Sequence, residues 1–386
     1  MNHCMNRWAR IAPVAVLGVA LAVTGCAAPG GQATASDKAT GPIKIASVSP
    51  QSGQQSSLGT WELKGVKLAV AEVNAAGGIN GRKLEISVMD DQGDPTVATN
   101  LARKAVSDGA VFVFGSAMSG NTLAMAPILA GAKIPAITSG SSPKLAKSGS
   151  EFLFLNSPPS TVFDQTLSNY LVDTKEYKSI AMISNNGAYG KGEHDAFLAS
   201  LSGKGVKPVA DQVVTPDQKD FSSALTSIGQ KKPQVLFIGA EEVESGLIAK
   251  QARQLGITAI IAGGAPLGTP VYLDTAGVTV AEGSIVSTPY LGNDTDAKTI
   301  KFAADYQKAY GAEAAEFHGA KAYDGAQIVI KALRATNGAG GAKLAEAIRA
   351  VKYEGLVGTF AFDQTGIGVH ATTIAIITNG KQIAVK

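Results

Sequence analysis

The sequence predicts an α/β protein built as two doubly wound lobes joined by several chain crossings, a multi-stranded hinge. Three observations carry this. Apolar runs of strand length alternate with helix-period stretches from residue 43 to residue 288. Pro158-Pro159 interrupts the alternation and divides it into two series. Three helix-period segments then follow between residues 296 and 351 with no strand between them, as if returning to the first lobe. A helix after nearly every strand implies parallel sheets covered on both faces.

Residues 1–10 (MNHCMNRWAR) form a basic segment, and Ile11 to Val23 an apolar run too short for the roughly 20 residues of a membrane-spanning helix. Together they read as an export signal. Val23-Thr24-Gly25-Cys26 resembles the bacterial lipobox, which makes Cys26 the expected lipid anchor. Cys4 leaves with the signal, so the exported chain keeps one Cys and no internal disulfide. Residues 27–41 are small and polar, the composition of a flexible tether.

In the first series, Ile43 to Val48 is a strand, and Val66, Ala69, Val70 and Val73 mark one face of the following helix. Gly77-Gly78 ends that helix, Asn80-Gly81 turns the chain, and Lys83 to Met89 returns as a strand. Helix 96–107, strand Ala110 to Phe114, helix 121–131 and strand Ile134 to Thr138 complete the series. In the second, helix 161–174 leads to strand Ser179 to Ser184, helix 192–203 and strand Val206 to Val214. Helix 221–230, strand Val235 to Gly239, helix 243–255 and strands Ile257 to Ile261 and Ser284 to Thr288 follow.

The returning helices span 296–310, 319–336 and 342–351, the middle one with a buried stripe at Ala322, Ala326, Val329, Ile330 and Leu333. Thr359 to Asp363, Ala371 to Ile377 and Gln382 to Val385 read as antiparallel strands, with Asn379-Gly380 as a hairpin turn. The organisation is then signal 1–25, lipidated Cys and tether 26–42, first lobe 43–158 with 290–355, and second lobe 159–289 with 356–386.

Composition excludes several classes. At 45% apolar and 17% charged residues the chain is too apolar for disorder. Of a formal charge of +3, Arg7 and Arg10 supply two, so nothing in the folded part recruits nucleic acid. His194, His318 and His370 are scattered without companion Cys and read as surface or loop residues, so no metal or cofactor is expected. Ser141-Ser142-Pro143-Lys144 fits Ser-x-x-Lys, but the companion motifs of acylating enzymes are missing, as are a hydrolase elbow, a dinucleotide fingerprint and a Walker A loop.

Two exported α/β lobes suggest a hinged binder, because open α/β sheets take ligands beyond the carboxyl ends of their strands. The stretch IKIASVSPQSGQQSSLGTWELKGVKLAVAEVNAAGGINGRKLEISVMDDQGDP, with YGKG, KDFSSAL and AYDGAQ, resembles the leucine/isoleucine/valine-binding family of type I periplasmic solute-binding proteins. The resemblance covers about residues 43–386. It implies the type I periplasmic binding protein fold, a small carboxylate-bearing ligand, most simply an aliphatic amino acid, and docking of the closed form on a membrane ABC permease. A monomer is expected, and the signal and lipobox place it on the outer face of the cell membrane or on a periplasm-facing membrane. A short amide, a urea-like compound or an aromatic acid is the alternative ligand on the same scaffold. A lipoprotein α/β enzyme is the alternative of another class.

Candidate site residues lie on the loops after strands. Ser119 precedes an apolar helix whose unpaired N–H groups favour an anion, and Ser142 stands as N-cap before Pro143 at the first helical position. On the residues alone, both serines cap helices as well as they hold a ligand. By resemblance Ser119, Gly140, Ser141 and Ser142 match positions that hold the ligand carboxylate and part of its ammonium, and Tyr189 matches a Tyr that closes over the ligand. Glu241 takes a position often aromatic in the family, and could equally be a solvated acid at a helix N-terminus. Leu58 and Trp61 could wall the cleft, Trp61 equally by ordinary packing, and Phe317 lies near a family pocket position. The sequence departs from the family at Ala265, which aligns with the acid that pairs with the ammonium. Either Glu241 replaces that acid, or the ligand lacks an ammonium. Gly93 and Met118 stand where some members carry a disulfide.

Overall fold

The computed structural model describes residues 41–292, 296–311, 316–369 and 371–385. The export signal, Cys26 and the tether lie outside the described residues, as does His370.

The first sheet is parallel, in the order β2-β1-β3-β4-β5, with β1 Ile43–Ser49, β2 Leu84–Asp90, β3 Phe112–Gly115, β4 Ala136–Thr138 and β5 Leu153–Leu155. Between these strands run α1 Ser56–Ala75, α2 Pro95–Ser107, α3 Ser119–Gly131 and the short α4 Pro143–Ala146. Strand alternation sends Ile43 and Ile45 to one face and Ala46 and Val48 to the other. Each face has its own core, the second of them against the small residues Ala98, Ala102 and Ala105 of α2. Asp94 caps α2, its carboxylate accepting from the Thr96 and Val97 amides.

After α5 Ser160–Ser168, which continues as a π-helical turn to Thr174, the second sheet takes the order β15-β14-β10-β9-β8-β6-β7. Its parallel strands are β6 Ile180–Asn185, β7 Ala210–Val214, β8 Val235–Gly239, β9 Ile260–Gly263 and β10 Ile285–Thr288. The intervening helices are α6 Ala188–Gly203, α7 Ser222–Gly229, α8 Glu242–Gln254, α9 Pro270–Ala276 and α10 Val278–Ala281. Central β8 is buried throughout, whereas edge strand β7 alternates in exposure, as one covered and one wet face require.

The chain then returns to the first lobe through α11 Ala297–Tyr310, α12 Phe317–Ala335 and α13 Gly341–Arg349. Phe302, Ala326, Val329 and Leu344 of these helices share the core of Ile43 and Ile45. A small antiparallel sheet of β11 Lys352–Gly355, β12 Gly358–Phe362 and β13 Gly368–Val369 follows. Only β14 Thr373–Thr378 and β15 Lys381–Ala384 join the second sheet, antiparallel, with the Asn379-Gly380 hairpin between them.

Residues 356–369 therefore depart from the boundary read off the sequence. Phe360 and Phe362 are buried in the first-lobe core, Ile367 bridges to Leu155 of β5, and Asp324 of α12 accepts from the Leu356 and Val357 amides at 2.7 and 3.1 Å. The partners of these strands come from the first lobe, and a strand pattern alone does not name its partner.

Candidate functional site

Between the lobes lies a cavity walled by loops at the carboxyl ends of both sheets. On the first-lobe side, Ser119 opens α3 and is 2% exposed, and its Oγ accepts from the Ser142 amide at 3.3 Å. The two loops are held together beneath it. The Ser116 carbonyl accepts from the Thr122 and Thr138 hydroxyls at 3.0 and 2.8 Å, and the Gly140 amide donates to Thr138 Oγ1 at 3.0 Å. A Cβ at Gly140 would lie 3.0 Å from Ser119 Oγ, so only glycine keeps this wall open.

Ser119, Gly140, Ser141, Tyr189, Glu241, Leu58 and Phe317 all line the cavity. Ser142 and Trp61 stand behind its wall. Ser142 precedes α4 but makes no side-chain capping bond, and its buried Oγ has no partner among the described residues. Trp61 is half-buried and stacks on His318, with ring centroids 6.1 Å apart and planes at 17°.

On the second-lobe side the wall is acidic. Tyr189 sits in the first turn of α6, its phenol pushed well above the usual range by burial and by the charge of Glu193. Glu241 precedes α8, where Asn185 Nδ2 donates to its Oε2 at 2.6 Å and also bonds Glu244. Burial and the Glu244 charge push Glu241 up to about 8. It is already engaged, which weakens its claim to replace the missing acid.

Several lining residues escape the sequence reading. Glu193 of α6, 2% exposed, is raised to about 7 by burial, against the Ser160 and Tyr189 hydroxyls. Glu242 Oε1 lies 2.8 Å from His318 Nε2. Lys321 donates to the Ser139 carbonyl at 3.0 Å, stands 4.3 Å from the Phe317 ring centroid and is lowered to about 8 by burial. His318, read as a surface or loop residue, is a buried helical residue, 9% exposed, because α12 is covered on most of its circumference. A charged residue at helical spacing gives no local sign that it turns toward a cleft.

The cavity thus opposes hydroxyls and amides on one wall to carboxyls on the other, with Ala265 lining it near Glu193. This arrangement suits a small ligand with an anionic end, and among the described residues no group of three or more His, Cys, Asp or Glu is placed to hold a metal ion.

Comparison with known proteins agrees with the geometry. The chain is 30% identical over 329 residues to a Leu/Ile/Val-binding protein homolog of Brucella melitensis, covering 84% of this chain and 88% of that one. It is also 30% identical over 332 residues to the Leu/Ile/Val-binding protein BraC3 of Rhizobium johnstonii, with the same coverage. Among solved structures, the branched-chain amino acid transporter substrate-binding protein LivJ of Streptococcus pneumoniae, in complex with isoleucine, superposes with a TM-score of 0.82 at 27% identity, over 89% of this chain and 98% of that one. A solute-binding protein of R. palustris in complex with benzoate shares the fold, with a TM-score of 0.81 at 20% identity over 89% and 95% of the two chains. The periplasmic binding protein family model matches residues 42–382, and the chain belongs to that family.

Proposed function

We propose that this chain is the extracytoplasmic solute-binding component of an ABC import system, held to the membrane by a lipid on Cys26. It captures a small carboxylate-bearing ligand, most simply a branched-chain or other aliphatic amino acid, and presents the closed form, as a monomer, to a membrane permease. The observation that carries this reading is the first-lobe wall of Ser119, Gly140 and Ser141, which lines one cavity with Tyr189, Glu193 and Glu241 of the second lobe. Ligand binding energy then shifts an open–closed equilibrium and makes or breaks no bond. Leu58 and Phe317 supply apolar surface for the ligand's body, and Tyr189 covers it.

A second ligand class has its own support. Ala265 in place of an acid, with Phe163 and Phe317 on the walls, favours an aromatic acid.

Thermal unfolding against amino acids, short amides, urea and aromatic acids tests the reading. A ligand at 100 times its Kd adds about 2.7 kcal/mol. A raised midpoint with at least one carboxylate is expected. Shifts with none of the carboxylates would remove the proposed function.

A further inference from the structure

Among the described residues, two carboxyls on the second-lobe side have no counterion. Asp164 of α5 is 0% exposed and Glu193 of α6 is 2% exposed. Both oxygens of Asp164 and Oε2 of Glu193 lack a hydrogen-bond partner among the described residues. The groups that act on them are each other, the Ser160 hydroxyl and the Tyr189 phenol. Glu241 and Glu242 of α8 also act on Tyr189, and the Lys321 and His318 side chains of α12 line the same cavity without pairing to either acid. A buried carboxylate without a partner is costly, and a second one beside it is costlier still, so near neutral pH the pair holds at least one proton. Burial, followed by the Glu193 charge, accordingly raises Asp164 well above the carboxylate range.

The backbone opens a path from this pair to the ligand. A Cβ at Gly264 would lie 3.0 Å from Glu193 Oε2 and 3.4 Å from the Tyr189 hydroxyl, so the missing side chain leaves Glu193 facing the cavity beside Ala265. An acid carried by α6 thus reaches the neighbourhood that the loop after β9 leaves uncharged.

We infer that Glu193, backed by Asp164, is a cation subsite that takes the ammonium of a ligand whose carboxylate rests on the Ser119 wall, and that the pair releases a proton to solvent as the ligand enters. This rests on the proposed function and selects amino acids within it. The ligand arrives with its ammonium already charged; the proton lost by the carboxyl pair passes to buffer, and the carboxylate it leaves faces the ammonium while the ligand's own carboxylate rests on the hydroxyls and amides of the Ser119 wall.

The test is titration calorimetry of the protein at pH 7 in phosphate and in Tris. The probes are leucine, alanine and glutamine, and the same skeletons without the amine: 4-methylpentanoate, propanoate and 4-carbamoylbutanoate. At least one amino acid should bind ten times or more tighter than its amine-free counterpart, with a heat that differs between buffers by the release of a fraction of a proton. Glu193→Gln should abolish both the preference and the release. In the ligand-free protein, Glu193→Gln and Asp164→Asn should each raise the unfolding midpoint at pH 8.5 more than at pH 5.5, which shows that the variants fold. Amine-free acids binding as tightly as amino acids, or a preference surviving in Glu193→Gln, overturns the subsite and leaves the carboxylate cleft standing. If no carboxylate binds at all, the cleft reading falls and the subsite with it.

Discussion

His318 Nε2 and Glu242 Oε1, 2.8 Å apart, tie α12 of the first lobe to the first turn of α8 of the second. Burial lowers the His318 pKa against the pull of Glu242, so the neutral ring is the form the site favours. Removing the ring leaves the Glu242 carboxyl, 1% exposed, with neither oxygen bonded. His318→Ala should therefore cost about 1–3 kcal/mol, measured by urea unfolding of the ligand-free protein. An unchanged urea midpoint would show that the contact contributes nothing.

The two lobes also approach closely at Gly192, where a Cβ would stand 2.8 Å from Pro143 Cδ and 3.1 Å from Ser142 Oγ. Gly192 lies inside α6, where alanine is otherwise the better helix former. Gly192→Ala should thus weaken ligand binding by about tenfold, or 1.4 kcal/mol, without lowering thermal stability. Small-angle scattering with saturating ligand should show a more open molecule than the wild type. Undiminished affinity would mean that closure does not bring α6 against Ser142.

In the proposed carboxylate cradle Ser119 lines the cavity and Ser142 backs it, the Ser142 amide donating to Ser119 Oγ. The double substitution Ser119→Ala with Ser142→Ala should weaken binding of the ligand found in the thermal panel by more than tenfold. The far-ultraviolet circular dichroism spectrum should stay as it is. Equal affinity would withdraw both residues from the site.

Stability should decline as pH rises across neutrality. Burial raises Asp324 from 3.8 to about 7, although the Val357 and Leu356 amides oppose it. The folded chain holds this proton where the unfolded chain has lost it. Its contribution is complete below 3.8 and is lost as pH rises through about 7, at about 1.4 kcal/mol per unit of pKa displacement. Glu316, raised to about 8 chiefly by burial, acts in the same direction. Lys321, lowered to about 8, acts oppositely only between about 8 and 10.5. Urea midpoints should fall from pH 5.5 to pH 8, and Asp324→Asn should flatten the slope; a rising profile would contradict these assignments.

Much of this was legible because it is local. The i, i+3, i+4, i+7 run from Val66 to Val73 lies on one buried face of α1, and Asn379-Gly380 joins β14 to β15. The loops after β3, β4 and β6 fall at the ends of apolar runs, and Ser119, Gly140, Ser141 and Tyr189, singled out on those loops by the family resemblance, line the cavity. Leu153–Leu155 of β5 was missed because three residues are too few to show a period. Residues 265–281, with a 3-10 turn followed by α9 and α10, were missed for the same reason: short elements carry little pattern.

Glu193 and Asp164 were illegible for another reason. In GKGEHDAF and STVFDQTL each acid has the look of an ordinary outward-facing helix residue. Gly190, where a Cβ would stand 2.2 Å from Asn185 Oδ1, lets α6 settle close on the end of β6, and that close approach helps to set where Glu193 points. The sequence by itself determined the alternating architecture and the strand-end loops that wall the cleft, since backbone periodicity and turn chemistry act over a few residues. Only the tertiary structure decided which charges share one buried space, because desolvation and charge compensation depend on side chains that α5, α6, α8 and α12 bring together from more than 150 residues of chain.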